Sequence, residues 1–187
     1  MAKLIVFNLA TLDGYFEGPN QDLSWHNVDK EFNEFAIENL NSIGGLVFGR
    51  VTCELMAGYW QTKQALENDP IVAAKMNSLP KYVISKTLDK VEWNNSKLIK
   101  ENAADEIRKL KHSSDKDIDI FGSGKLISSL IGTDLIDEFR IMVNPVILGN
   151  GTPLFTNINE KLKLELINTR SFKNGNFLLC YIPSPRK

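Results

Sequence analysis

A strand that turns through Gly-Ser-Gly into a helix is the feature that most constrains this chain. Residues 117–121 read Asp-Ile-Asp-Ile-Phe, which is typical of a short buried strand, and helical apolar spacing begins at Leu126. Between them, Gly122 and Gly124 flank Ser123 and remove two Cβ atoms where the backbone must turn. Such a turn leaves free N–H groups at the positive end of a helix dipole, which favours a phosphate. A tight turn without any ligand has the same pattern, so this motif alone leaves both interpretations open.

Two further strand ends carry polar or glycine turns. Gly49-Arg50-Val51-Thr52 follows an apolar run at 45–48, and Ser85-Lys86-Thr87 ends the run that starts at Lys81. Ligands of open α/β sheets bind at the carboxyl ends of strands, so these turns predict one ligand with more than one phosphate. Backbone amides and the Thr52 hydroxyl would serve a pyrophosphate, and Arg50 and Lys86 would supply positive charge.

The usual nucleotide fingerprints are absent from the sequence. No third glycine follows Gly124 at the Rossmann spacing, and Lys125 precedes Leu126 rather than the Ser or Thr of a Walker motif. The sequence therefore predicts a dinucleotide site of another kind, or no such site.

The order of elements predicts one α/β domain spanning residues 1–187. Strands and helices alternate through the first two-thirds, which implies parallel pairing, and the last third adds antiparallel strands. Asn174-Gly175 marks a hairpin. Asn102 with Asp105 predicts a capping box, and Asp69-Pro70 predicts a helix start. The predicted strands are 3–9, 45–48, 81–85, 96–99, 117–121, 136–148 (interrupted at Asn144-Pro145), 162–172 and 177–182, and the predicted helices are 29–41, 52–60, 70–77, 102–111 and one after Gly124.

Composition excludes several classes of function. Lysine plus arginine number 22 against 23 aspartates plus glutamates, so no overall field attracts nucleic acid or an anionic membrane. No apolar run is long enough to span a bilayer. Cys53 and Cys180 stand alone without metal-ligand neighbours, which predicts buried free thiols in a reducing cytoplasm and no metal site.

The first predicted helix offers a candidate acid. Phe32 and Phe35 lie on its apolar face, with Glu31 beside them, so the carboxylate is placed to point into a cleft. A carboxylate at such a margin often only reaches out to solvent, and that alternative stays open. The preceding loop contains Trp25 and His26. It is interpreted as a cover for a substrate or as a surface loop that plugs the core.

The chain resembles a known family in these motifs. Gly-Arg-x-Thr, Ser-Lys-Thr and the later Gly-x-Gly resemble dihydrofolate reductase. Leu12-Asp13-Gly14 and the segment 145–155 resemble the reductase domain of the bacterial riboflavin-biosynthesis deaminase-reductase more closely. The resemblance implies a dihydrofolate-reductase-like mixed sheet, mostly parallel, with helices on both faces. It also implies NADPH as hydride donor and a pteridine- or pyrimidine-like substrate. The 5-amino-6-(5-phosphoribosylamino)uracil reductases are the model for that substrate. A homodimer is predicted because the long apolar strands at 136–148 and 177–182 offer edge or face area for a second copy, and the resemblance implies the same.

The resemblance also assigns roles to residues. Glu31 falls near the pterin-binding carboxylate of dihydrofolate reductases, although Asp29 competes for that role and water ordered by Asp13 is another proton source. Trp25 and Phe35 would contact substrate. The alternatives are a nucleotide-binding module without turnover and a true dihydrofolate reductase. The residues implied to bind cofactor are Gly49, Arg50, Thr52, Ser85, Lys86, Thr87, Gly122, Ser123, Gly124 and Lys125.

Overall fold

A computed structural model describes residues 1–158 and 160–185 of the 187-residue chain. The strands are β1 Leu4–Thr11, β2 Tyr15–Glu17, β3 Ile43–Gly49, β4 Lys81–Ile84, β5 Ser96–Ile99, β6 Asp117–Phe121, β7 Glu138–Asn144, β8 Thr152–Pro153, β9 Leu164–Ser171 and β10 Phe177–Pro183. The helices are α1 Lys30–Ser42, α2 Arg50–Trp60, α3 Lys63–Asn68, α4 Pro70–Ser78, α5 Ala103–Ser113 and α6 Gly124–Leu130.

Strands from the whole length of the chain form an eight-stranded sheet in the order β5-β4-β3-β6-β1-β7-β10-β9. The pairings from β5 through to β7 are parallel, whereas β10 pairs antiparallel with both β7 and β9. The predicted mixed sheet is therefore confirmed, with parallel strands first and antiparallel strands last. The hairpin predicted at Asn174-Gly175 is also confirmed, since it joins β9 to β10.

Alternation along the central strand builds the core on both faces of the sheet. Leu4 and Val6 join an apolar cluster with Ile107 of α5 and Ile127 of α6. Phe7 enters a cluster on the other face that includes Phe32 of α1. A central parallel strand is covered on both faces, so successive side chains, which point to opposite faces, must be mainly apolar. β1 meets this requirement. Helices consequently cover both faces.

Two predicted helix starts behave differently. Asp29 is the N-cap of α1, and its Oδ1 accepts a hydrogen bond of 2.8 Å from the Phe32 N–H. The capping box predicted at Asn102 and Asp105 is wrong. Asn102 adopts a left-handed conformation (φ 53°) and its side chain makes no cap, while Asp105 pairs with Arg108. A left-handed residue points its side chain away from the first-turn N–H groups, so the pattern there does not form the box.

The last third departs from its predicted limits. The run predicted over 136–148 ends as a strand at Asn144, because Pro145 has no N–H for the ladder. The sheet edge on this side is β9, whereas the strands expected to offer edge area, 136–148 and 177–182, correspond to interior β7 and β10. Short elements that the sequence did not indicate are α3 and the β2–β8 ribbon.

The cysteines and the membrane prediction can be compared directly with the structure. Cys53 and Cys180 are both buried and free, as predicted. No helix in the described ranges 1–158 and 160–185 is long and apolar enough to cross a membrane.

Candidate active site

The parallel strands place their carboxyl ends along one edge of the sheet. In spatial order, β4, β3 and β6 end at the turns 85–87, 49–52 and 122–124. We call this stretch the glycine half. Next to it β1 and β7 end at Thr11 and Asn144, beside the turn between β9 and β10. We call this second stretch the amide half. The structure thus brings together the strand-end motifs that the sequence predicted to share one edge.

The two glycine turns are locked together by hydroxyl groups. The Ser123 Oγ accepts a bond of 2.7 Å from the Gly49 N–H and donates one of 2.8 Å to the Thr52 Oγ1. A Cβ on Gly122, whose φ is +60°, would lie 2.7 Å from the Thr52 Cγ2. Glycine is therefore required at this position by both conformation and space. The predicted ligand residues Ser123 and Thr52 use these hydroxyl contacts to hold the turns in register.

Donors for an anion remain at the starts of the helices that follow these turns. The N-cap residues of α2 and α6, Gly49 and Ser123, make no side-chain caps, so the first-turn N–H groups keep their hydrogen-bonding capacity. Gly124 is glycine for a different reason. A Cβ there would lie 3.0 Å from the Leu154 carbonyl oxygen and 3.1 Å from the Phe16 ring. The geometry fits phosphates held by backbone amides.

The remaining polar residues of the glycine half divide into turn-forming and exposed groups. The Ser85 Oγ accepts bonds of 3.2 Å from the N–H groups of Thr87 and Leu88, so this hydroxyl shapes the turn after β4. Lys86 is exposed beside it. The Arg50 guanidinium lies 2.9 Å from the Glu54 carboxylate, with both side chains about half exposed. Such surface pairs are weak, and a pair whose carboxylate has no second anchor opens readily to another anion.

Lys125 follows Gly124 in the first turn of α6. Its exposed side chain lines a groove of about 1320 Å³ together with Ser128, Ser129 and the segment around Leu162.

An aromatic floor lies where the two halves meet. Phe7 and Phe121 are register partners on β1 and β6, with ring centroids 5.4 Å apart. Phe35 of α1 lies 5.8 Å from Phe7 and meets Phe172 edge-on at 5.6 Å. Phe35 and Phe121 are only partly buried, so a flat ring bound above them would find an apolar surface. The predicted substrate residue Phe35 belongs to this floor.

Glu31 lies at one wall of the floor and is tied to the β9–β10 hairpin. Its Oε1 lies 3.4 Å from Nη2 of Arg170, and its Oε2 accepts a bond of 3.0 Å from the Lys173 N–H. The carboxylate is about a quarter exposed and joins α1 to the hairpin. Asp29, the competing acid, is engaged as the N-cap of α1.

Asp13 is likewise engaged by neighbours. Its Oδ1 accepts bonds from the Thr11 hydroxyl (2.6 Å) and the Leu148 N–H (3.3 Å), and its Oδ2 accepts one from the Gly149 N–H (2.8 Å). The Thr11 hydroxyl in particular holds the pKa of Asp13 below its usual value, assisted by both backbone donors. Asp13 is therefore an ionised acceptor that connects the end of β1 to the loop after β7.

The loop before α1 is pinned to the amide half by asparagines. Asn27 donates from its backbone to the Asn144 Oδ1 (2.9 Å) and from its side chain to the Asn174 carbonyl (2.6 Å). The side chains of Asn174 and Asn176 donate in return to the Asn27 carbonyl, at 3.0 and 2.8 Å. These reciprocal bonds fix where the loop carrying the candidate substrate residue Trp25 reaches the sheet.

Trp25 and His26 form an edge-on ring pair at 4.5 Å, and the indole N–H donates to the Asp22 carbonyl. Both rings are half-buried. Burial lowers the pKa of His26 to about 4. Its imidazole is consequently neutral near pH 7.

Sequence reasoning missed the asparagine cluster, Arg170 and two members of the aromatic floor, Phe7 and Phe121. Asn144 had the same signal as the predicted turns, because it is a polar residue at a strand end. Asn27 and Arg170 carried no local signal, since their partners lie more than a hundred residues away in the chain.

An eight-stranded mixed sheet with glycine turns at one edge is the fold of dihydrofolate reductase-like proteins. The chain superposes on dihydrofolate reductase from Enterococcus faecalis, complexed with NADP(H) and RAB-propyl, with a TM-score of 0.66 and 16% identity over 98% of this chain and 97% of that one. More particularly, the chain belongs to the RibD C-terminal domain family, whose model matches residues 2–178. The predicted resemblance is confirmed at this level.

Two closer similarities support the family assignment. The chain is 34% identical to the uncharacterised protein YyaP of Bacillus subtilis (strain 168), over 96% of this chain and 94% of that protein. A putative riboflavin biosynthesis protein from Shewanella sp. PV-4 has 26% identity and a TM-score of 0.77, over 99% of this chain and 100% of that one. Within the described residues, no group of three or more His, Cys, Asp or Glu side chains is placed to hold a metal ion.

Proposed function

We propose that this protein is an NADPH-dependent reductase of a small heterocyclic substrate, pteridine- or pyrimidine-like. The observation that carries the proposal is the locked pair of turns, in which Ser123 joins Gly49 to Thr52 and leaves the N–H donors of α2 and α6 for phosphates. Family membership supports the choice of a reductase. Residues 1–187 would act as one domain in the cytoplasm, where buried free thiols such as Cys53 persist.

The residues of the glycine half would hold the cofactor, which supplies a hydride when bound. Arg50 and Lys86 would meet its 2′-phosphate. The floor of Phe7, Phe35 and Phe121 would orient a planar substrate against the reacting carbon. The loop carrying Trp25 would exclude water from that side.

The proton that accompanies the hydride is assigned to the Glu31 side of the cleft. Each oxygen of Glu31 accepts one hydrogen bond, which leaves lone pairs for a substrate N–H or an ordered water. Asp13, held ionised by its donors, would act by ordering water rather than by donating a proton itself. A water held at Glu31 would donate a hydrogen bond to a substrate nitrogen, and the neighbouring carbon then accepts hydride more readily.

A binding module without turnover is the second candidate. The observation that favours it is that Glu31 and Asp13 both serve as structural ties. A panel of pteridines and pyrimidines, with NADPH oxidation followed by absorbance, separates the two. Reduction of any member supports the reductase, and tight cofactor binding without reduction across the panel supports the module.

Cofactor choice has its own test. Calorimetric titration should show NADPH binding more tightly than NADH, and Arg50→Ala should weaken NADPH far more than NADH. Loss of one charge-assisted contact corresponds to about tenfold in affinity. Glu54→Gln is the matched control, since it frees Arg50 from its partner. Equal affinity for both cofactors, or none for either, would contradict the proposal.

The proposed enzyme is a homodimer that covers the β9 edge. Leu164, Leu166 and Ile167 on this strand are 39%, 54% and 49% exposed, which is unusual for an apolar strand at a sheet edge. A second copy would pair with or pack on this strand. Sedimentation at micromolar concentration should give a dimer, and Leu166→Lys should give a monomer. A wild-type monomer under these conditions would contradict the assignment.

A further inference from the structure

The guanidinium of Arg170 is the charged group that faces the aromatic floor from β9. It lies 4.5 Å from the Phe172 ring centroid and 5.7 Å from that of Phe35. Stacking on aromatic faces fixes the plane of an arginine while its N–H edge stays available. With 40% of the side chain exposed, such an edge at the wall of a substrate cleft is suited to binding a phosphate or carboxylate.

The Glu31 carboxylate is paired with the N–H edge of the Arg170 guanidinium. Its Oε1 lies 3.4 Å from Nη2 of Arg170, so the positive charge on the cleft wall is already paired. The carboxylate is held from two directions, because Oε2 accepts from the Lys173 N–H and α1 itself is fixed by its Asp29 cap. An anionic substrate would have to displace a tethered carboxylate and would face its negative charge.

The asparagines of the amide half are uncharged. Asn27, Asn174 and Asn176 donate to one another, and Asn144 donates to backbone carbonyls, so part of their donor capacity is already in use. The ammonium group of Lys173 sits on an exposed turn, where only its backbone N–H contacts Glu31. A dianionic phosphate needs several charge-assisted donors to offset its desolvation, and this wall offers one guanidinium that is already neutralised.

We infer that Glu31 masks Arg170, so that the substrate end of the cleft selects an uncharged planar heterocycle and rejects a phosphorylated one. The inference rests on the proposed reductase function and deepens it by naming the substrate class. It departs from the phosphoribosyl substrate that the sequence resemblance implied. Glu31 thereby gains a specificity role that is independent of any part in proton delivery.

The experiment uses the full chain loaded with NADPH and two probes, measured by calorimetry. Ribose 5-phosphate reports on the phosphate, and pterin, an uncharged fused ring, reports on the floor. The variants are Glu31→Gln, which keeps an acceptor for the Lys173 N–H but removes the charge, Glu31→Gln combined with Arg170→Gln, and the control Lys173→Met. Thermal unfolding of each variant shows that it is folded before titration.

We expect wild type to bind pterin and not ribose 5-phosphate. Glu31→Gln should bind ribose 5-phosphate at least about tenfold more tightly than wild type, since an unpaired guanidinium adds a charge-assisted bond. The double variant should lose that gain, and Lys173→Met should match wild type. Phosphate binding by wild type, no gain in Glu31→Gln, or failure of pterin to bind would each overturn the inference.

Failure of the proposed function has a different signature. If NADPH does not bind to wild type in the first titration, the reductase proposal fails at the glycine half, before either probe is added. If NADPH binds and wild type then takes ribose 5-phosphate, the reductase proposal stands and only the masked-arginine inference fails.

Discussion

The glycine half and the amide half lie along the same sheet edge, but they use their polar groups in opposite ways. In the glycine half, one hydroxyl from Ser123 locks the turns, and the helix-start N–H groups keep their donors for a ligand. In and beside the amide half, the side chains of Asp13, Asn27 and Glu31 form hydrogen bonds to neighbouring residues and turns. Under the proposed function the first half would bind the charged cofactor, whereas the polar groups of the second hold its loops in place.

This difference suggests how such a site distributes its tasks. A cofactor with several phosphates needs donors that are fixed in advance, which backbone amides at helix starts provide without side-chain entropy. A planar substrate needs a rigid apolar surface and few exact contacts, which the aromatic floor provides once the loops around it are tied down. Mutations in the two halves should therefore separate cofactor binding from turnover.

The largest expected effect tests whether the amide half also does chemistry. Glu31→Gln should lower turnover on a verified substrate by about 10²–10⁴, the usual cost of losing a positioned proton-transfer group, while NADPH affinity stays near wild type. His26→Ala is the control and should change both little, because its imidazole is neutral and packed on Trp25. If Glu31→Gln kept full turnover, water ordered by Asp13 would become the better proton source.

The next effect breaks the glycine half. Gly122→Ala places a Cβ 2.7 Å from the Thr52 Cγ2 at a φ of +60°, so the turn must shift. We expect a loss of about 2–4 kcal/mol in the free energy of unfolding and at least a tenfold loss of NADPH affinity. Gly132→Ala is the matched control, since its Cβ would meet nothing within 4 Å and its φ is not left-handed. Urea unfolding and calorimetry measure both quantities, and equal behaviour of the two variants would show that the turn is not under this constraint.

The sequence predicted the glycine half better than the amide half for a physical reason. Strand, glycine turn and helix are local signals, so Gly49, Gly122 and the order of elements could be read from neighbouring residues. The ties of the amide half join residues far apart in the chain, such as Asn27 to Asn174 and Glu31 to Arg170. A local pattern says nothing about such partners. That is why Glu31 was predicted as a candidate acid without its arginine.

A third pair of variants sharpens the separation. Ser123→Ala and Asn27→Ala each remove a side chain that joins two loops, and each should cost about 1–2 kcal/mol of unfolding free energy. Only Ser123→Ala should also weaken NADPH, by a few-fold, because it releases the Gly49 N–H and Thr52 together. Parallel thermal unfolding and cofactor titrations compare them. A loss of NADPH affinity in Asn27→Ala would mean that the two halves are not independent.

A buried polar network runs beneath both halves and links them. Asp119 on β6 is fully buried, and its Oδ2 accepts a 2.7 Å bond from Asn39 of α1. Asn39 in turn accepts from Arg140 on β7 at 3.1 Å, and Arg140 pairs with Glu138. Burial raises the pKa of Asp119 to about 7, with Asp117 and Glu138 adding to it and Asn39 and Arg140 opposing it. The network therefore contains a carboxyl group that changes charge in the physiological range.

This network gives the smallest expected effect on activity, because it predicts a pH slope of stability rather than a loss of function. Because the folded pKa of Asp119 is raised above its unfolded value of 3.8, the folded chain holds a proton between about pH 4 and 7 that the unfolded chain has released. Stability contributed by this group is therefore present at low pH and falls as pH rises through that window, by at most about 1.4 kcal/mol per pH unit. Asp119→Asn should remove this slope in urea titrations. His26 gives the opposite trend, because its lowered pKa costs stability as pH falls from 6.5 towards 4. That trend is the same in both proteins and cancels in the difference between their unfolding free energies. Parallel stability curves for wild type and Asp119→Asn from pH 4 to 8 would contradict the raised pKa. The Asp119 carboxyl would then be ionised throughout this range, and Arg140 on β7 would have to neutralise it from across β1.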